Sequence, residues 1–372
     1  MHQYRNFNGL QRNITKQGLN GALAWQVSVM HWDACQRGTG RRPHHLEVQG
    51  LMDGSFSSGQ WTDGRRRTLK APIGCVGIGL HSGRRVSVTL RPGPSGTGIV
   101  FRRTDAAVEI PARWDLVSDT RLCTALSAPD APEVTVGTIE HLMAAFAGAG
   151  VDDAIVELDA PELPILDGSA APWLFLIDCA GITGTLGAPA ASIEVLRAVR
   201  VEDASGAFAE LLPTREAAFD ADLEIDFPNT AIGRQRLALR ISPQSFRERL
   251  ADARTFTLAE DVAMLRAAGL AQGGSLANAV VVDGPMVLNP GGLRHDDEFV
   301  RHKMLDVVGD LALAGGRLRA RFRASRSGHA LNNRLLRALF ADAAAWRWTG
   351  APMVTLDGVA ARLPAAAAPA TV

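Results

Sequence analysis

The chain is poor in several features, and each scarcity argues against a class of protein. Of its 372 residues only one is Tyr and four are Cys. The cysteines, Cys35, Cys75, Cys123 and Cys179, form no C-x-x-C and no short pair. Such spacing argues against a disulfide framework or a Cys-rich zinc site and fits a reducing cytoplasm. The formal net charge is zero, so there is no electrostatic footprint for bulk nucleic-acid binding. No apolar run approaches the roughly 18–20 residues that span a bilayer. The nearest stretch, residues 21–30, is short and broken by Gln26. Arg12 and Lys16 precede it in the manner of a signal peptide, but no small-residue cleavage site follows. A cytoplasmic protein without a transmembrane segment is the expectation.

What remains is globular: 47% hydrophobic, 21% charged, with 37 Gly. The length suggests two domains. Residues 1–66 are net basic, mix Gly, Ser, Arg and His irregularly, and sustain neither helical nor strand periodicity. They read as a leader that is disordered or lies upstream of the true start. From Arg67 the pattern sharpens. Two strands flank the turn at 81–83, the second alternating over 86–90. Gly74, Gly77, Gly79 and Gly83 are spaced loosely like a phosphate loop, but a β-rich run follows them where such a loop would open a helix. They read as turn and bulge positions.

A helix is expected over 138–146 with Thr138 as a cap, ending at Gly148 and Gly150. A strand over 154–158, a loop over 161–169 and a helix over 172–179 follow. The Gly/Ala/Pro-rich stretch 183–191 makes the best internal boundary. Beyond it come strands near 193–201, 208–212, 223–227 and 236–241, and a helix near 243–252. A long helix over 296–313 ends at Gly315-Gly316 and leads into an Arg-rich strand over 318–324. Helix, glycines, strand thus occurs twice, which points to two related α+β halves with a site where they meet. The Ala/Pro-rich tail, 358–372, has too little apolar bulk to pack.

Five histidines lie beyond the leader: His81, His141, His295, His302 and His329. His302 and Asp306, four apart on the long helix, share a face and could grip one ion. Asp310 continues that stripe. The same pattern also describes a solvated face opposite a core of Val300, Met304, Val308 and Leu311. Glu140 and His141 point about 100° apart on their helix, so they could divide the work, His141 ligating and Glu140 serving as base. A helix N-terminus that simply favours an acidic residue is the plain alternative. His329, after Gly328, reads as a histidine in a turn.

Together these pieces resemble the UDP-3-O-acyl-N-acetylglucosamine deacetylases of lipid A biosynthesis. The matching stretches are Gly77-Ile-Gly-Leu-His-Ser-Gly83, Thr138-Ile-Glu-His-Leu142 and Ala160-Pro-Glu-Leu-Pro-Ile-Leu-Asp-Gly-Ser-Ala-Ala-Pro172 in the first half. Ala253-Arg-Thr-Phe256, Gly273-Gly-Ser275, Asp297-Glu-Phe-Val-Arg-His-Lys-Met-Leu-Asp306 and Ser327-Gly-His-Ala-Leu-Asn-Asn333 follow in the second. They occur in order across about 67–357, and the leader is the one large departure.

The resemblance implies two α+β domains, 67–187 and 188–357, each a small sheet with paired helices packed inward. Each carries an insert, a small β insert near 105–135 and a β-α-β insert near 254–282. It implies His141, His302 and Asp306 as ligands of a catalytic Zn²⁺, with Glu140 as general base. Thr255 would assist the oxyanion, and His329, oriented by Asp310, would protonate the leaving amine. Lys303 and His81 would contact a UDP-linked acylated glucosamine, and Phe256 and Leu258 its acyl chain. Two other readings stay open: a zinc hydrolase of this layout acting on another acylated amine, and a non-catalytic binding protein of this fold.

Overall fold

The computed structural model describes residues 64–190 and 192–349. The expected tail and most of the expected leader lie outside the described residues. The boundary at Arg67 moves back, however, because β1 (Arg65–Leu69) already includes Arg65 and Arg66. The Arg66 guanidinium donates to both oxygens of Asp153 at 2.8 and 2.7 Å, and both side chains are buried.

The first half is built on β2 (Ile73–Ile78), β3 (Arg85–Pro92), β4 (Ile99–Arg103) and β5 (Val108–Pro111). A small separate sheet follows, of β6 (Val117–Asp119), β7 (Ala125–Ser127) and β8 (Thr135–Val136). Helix α1 (Glu140–Ala149), β9 (Ala154–Leu158), α2 (Ala171–Ala180) and β10 (Ile182–Pro189) complete it. The main sheet runs β2-β3-β9-β4-β5. Val86, Val88 and Leu90 alternate inward along β3, which is why that stretch forms a one-sided strand. The stretch expected as the internal boundary, 183–191, is described up to residue 190 and lies mostly in β10, which pairs with β1.

The second half contains β11 (Ser192–Val195), β12 (Val199–Glu202), β13 (Phe208–Leu212), β14 (Phe219–Phe227), β15 (Gly233–Ile241) and α3 (Pro243–Arg249). Next come β16 (Phe256–Leu258), α4 (Ala259–Ala267), β17 (Val280–Asp283) and β18 (Met286–Val287). It closes with α5 (Glu298–Ala312), β19 (Arg317–Ser325), α6 (His329–Ala341) and β20 (Trp346–Thr349). The strand expected over 193–201 is two strands, β11 and β12, in different places in one sheet. β16 and β17 are parallel and joined through α4, as a β-α-β unit requires.

The halves share a topology. β9 lies between β3, antiparallel to it, and β4, parallel to it, and β4 continues into the β5 hairpin. β19 lies in the same way between β13 and β14, with β15 as the hairpin partner. The helices meet between the halves. α1 packs on α5, α2 and α3, and α5 packs on α6. Gly309 permits the closest approach, because a Cβ there would collide with the carbonyl oxygen of Glu140. Glycine inside a helix costs about 1 kcal/mol relative to alanine, and here it lets two backbones touch.

Two expectations about helix starts are corrected. Thr138 does not cap α1. Ile139 occupies that position, while Thr138 sits at φ 55° and donates its hydroxyl to Glu162. His329 is not a turn residue but the first residue of α6, whose apolar face of Leu331, Leu335, Leu336 and Leu339 is buried.

Candidate active site

The α1–α5 contact places polar side chains where a core would normally hold apolar ones. Glu140, His141, His302, Asp306 and Asp310 are all buried, so the stripe on α5 faces protein rather than solvent. The ligand atoms of His141, His302 and Asp306 lie within 4.8 Å of one another. Asp306 Oδ1 is 3.4 Å from His302 Nε2 and 3.8 Å from His141 Nε2.

These contacts are not ion pairs. Burial, reinforced by the neighbouring His302, pushes His141 down to about 3, and burial also lowers His302 despite Asp306. Both imidazoles are therefore neutral at pH 7. Burial would raise Asp306, but attraction to His302 in its protonated form, which acid favours, and to Lys303 outweighs it and holds the carboxyl well below its ordinary range. The tautomer of His302 is set as well: its Nδ1 lies 3.0 Å from the carbonyl oxygen of Ala253, which can only accept. Nε2 is left with a free lone pair. Asp306 Oδ2 accepts from Lys303 at 2.8 Å, whereas Oδ1 is buried with no hydrogen-bond partner. Two neutral imidazoles around an orphaned carboxylate oxygen form a donor set suited to a divalent cation and costly without one.

The titrating groups beside this set are shifted in useful directions. Glu140 is raised to about 7, mainly by burial, with the charge of His329 pulling the other way. His329 resists burial and rises to about 9 because Asp310 supplies charge and a hydrogen bond. His329 Nδ1 is 2.8 Å from Asp310 Oδ2, which also accepts from Asn332 at 2.8 Å. Glu140 Oε2 accepts from the backbone N–H of Thr124 at 3.0 Å.

The remaining expected residues are placed unevenly. The backbone N–H of Thr255 donates to Gly168 and its carbonyl accepts from Val280, while its hydroxyl makes no hydrogen bond among the described residues. Phe256 stacks edge-on against Phe299 and Phe227 and lies 6.3 Å from the His302 ring. Leu258 is half-buried one strand position beyond Thr257. Lys303 is occupied by Asp306 rather than standing free. His81 has no described hydrogen bond or ring contact to the triad. Its backbone is held by Glu162 and Gln272, and both its ring nitrogens are buried without partners.

Sequence reasoning missed the supports. Glu298, fully buried, pairs with Arg254 and so fixes the segment whose Ala253 carbonyl orients His302. Thr124 and Asn332 were also missed. Glu298 and Asn332 stand within the matching stretches but without a role there, and Thr124 stands outside them.

Residues 66–341 match the family described as LpxC, UDP-3-O-acyl N-acetylglycosamine deacetylase. The chain belongs to this family. It is similar to the UDP-3-O-acyl-N-acetylglucosamine deacetylase of Photobacterium profundum, 48% identical over 288 residues, covering 76% of this chain and 93% of that protein. The Vibrio cholerae enzyme is likewise 48% identical, covering 76% and 92%. That of Idiomarina loihiensis is 46% identical over 306 residues, covering 81% and 96%. The family match begins at Arg66, the residue anchored on Asp153.

Proposed function

We propose that this chain is a cytoplasmic, zinc-dependent amidohydrolase of lipid A biosynthesis. Its substrate is UDP-3-O-(3-hydroxyacyl)-N-acetylglucosamine, and it releases acetate from the acetamide. The observation that carries this is the orphaned Oδ1 of Asp306 between two neutral imidazoles, next to a carboxyl raised to about 7 and an imidazole raised to about 9. His141, His302 and Asp306 would hold the metal; three protein ligands leave a coordination position for chemistry. Bound there, Zn²⁺ supplies Lewis-acid polarisation and acidifies water.

The chain's own residues then divide the proton work. Glu140, near 7, takes the proton of the attacking water as it adds to the acetamide carbonyl. The carbon–nitrogen bond breaks as His329, protonated and aligned by Asp310, gives its proton to the departing amine. The unengaged hydroxyl of Thr255 donates to the carbonyl oxygen as negative charge develops there. Phe256 and Leu258 line the path of the acyl chain, and His81 and Lys303 contact the sugar nucleotide.

Acetate release from the acylated UDP-sugar tests this directly. Chelation should abolish turnover and Zn²⁺ should restore it; full activity in thoroughly metal-free protein would sink the reading. Each buried methylene contributes about 0.8 kcal/mol, so a substrate without the acyl chain should lose kcat/KM by orders of magnitude. Equal rates for both substrates would point instead to another acylated amine.

A further inference from the structure

Thr124 lies in the small β sheet region of the first half, just before β7, and is buried. Its two polar groups reach two different carboxylates. The backbone N–H donates to Glu140 Oε2 at 3.0 Å, and the hydroxyl donates to Asp310 Oδ1 at 2.6 Å. Asp310 therefore receives Thr124 on one oxygen and His329 with Asn332 on the other. No other described residue bonds to both Glu140 and Asp310. With Oδ2 held by His329 and Asn332, the Thr124 hydroxyl on Oδ1 completes the network that sets the plane in which Oδ2 meets His329 Nδ1.

We propose that Thr124 is a positioning residue that sets the general base and the Asp310–His329 acid at a fixed relation across the two halves. This rests on the roles assigned above to Glu140 and His329. Thr124 touches no reacting atom and acts through Asp310, so it governs turnover rather than substrate binding.

Thr124→Val keeps the shape and the backbone N–H but removes the hydroxyl. In zinc-loaded, full-length protein it lowers kcat about 10- to 100-fold, the loss expected for one hydrogen bond to a charged group, with KM and zinc content unchanged. Thr124→Ser returns kcat to within about threefold of the unmutated protein, since it restores that bond. Thr124→Ala reads the same loss should the valine variant fail to fold. In a His329→Ala background, Thr124→Val costs little more, because the group it positions is gone.

Unchanged kcat in Thr124→Val or Thr124→Ala overturns the proposal. So does a serine variant as impaired as the alanine one, or a full additional loss in the His329→Ala background. Failure of the underlying assignment looks different: His329→Ala would then itself keep normal kcat.

Discussion

Glu140 and His329 are both raised, by different causes: burial for the carboxyl and a carboxylate partner for the imidazole. The proposed proton transfers need Glu140 ionised and His329 protonated, so kcat should rise as pH passes about 7 and fall as it passes about 9, provided chemistry limits the rate. A bound cation favours the ionised carboxylate and draws the acidic limb lower. The basic limb belongs to His329, and Asp310 is what raises it. Asp310→Asn should therefore shift that limb toward lower pH in a kcat–pH profile. An unmoved limb would assign it to another group. His329→Ala should cost about 10²–10⁴-fold in kcat with zinc retained. His141→Ala should weaken zinc binding instead.

At this scale the sequence was legible in chemistry and silent on surroundings. The spacing of His302, Asp306 and Asp310 put them on one face, but that face reads identically whether water or a second helix lies against it. It is buried because α1 arrives across Gly309, with Ala253 and Phe256 against His302 and Thr124 and α6 against Asp310. The Thr124–Asp310 hydrogen bond joins residues 186 apart, and a loop threonine carries no local mark of such a partner.

Among the elements, the α1–α5 crossing is the most constrained. Gly309→Ala would gain helix propensity yet push a methyl into the Glu140 carbonyl. Overpacking of this kind costs about 1–3 kcal/mol, so melting temperature should fall, and kcat with it as Glu140 and His141 shift. A variant as stable and active as the unmutated protein would show that the helices can part without harm. The strongly periodic elements could be read from sequence: β3 by alternation, α5 by its apolar face. Thr138 could not, because a left-handed threonine is imposed by Glu162 and by the turn into α1. Nor could the start of α6, because Ser327-Gly328 carries a turn signal directly before its first residue, His329.

For the molecule as a whole, the Arg66–Asp153 pair separates two truncations that differ by three residues. Removing residues 1–63 should leave kcat/KM and melting temperature close to those of the full chain. Removing 1–66 strips the guanidinium from a fully buried carboxylate, an imbalance worth about 3–5 kcal/mol. Thermal melts of both forms check this; equal stability would mean Asp153 is satisfied by Gly96 and Gly98 alone. The doubled α+β architecture followed from the repeated order of helix, glycines and strand, although the two main sheets differ in size, five strands against seven. The pairing of β1 with β10 did not, because strands so far apart in sequence leave no local sign of each other.

The hydrogen bond between Thr124 and Asp310 also bears on how the protein is born. A chain leaving the ribosome exposes Thr124, Glu140 and His141 long before His302, Asp306 and His329 have been synthesised. Until then the first half holds Glu140 and one of the three proposed ligands, His141, with nothing to close over them. Competence for catalysis is thus acquired in a single late step, when α5 and α6 dock. Nascent chains halted before residue 329 should be inert however well their first sheet has folded.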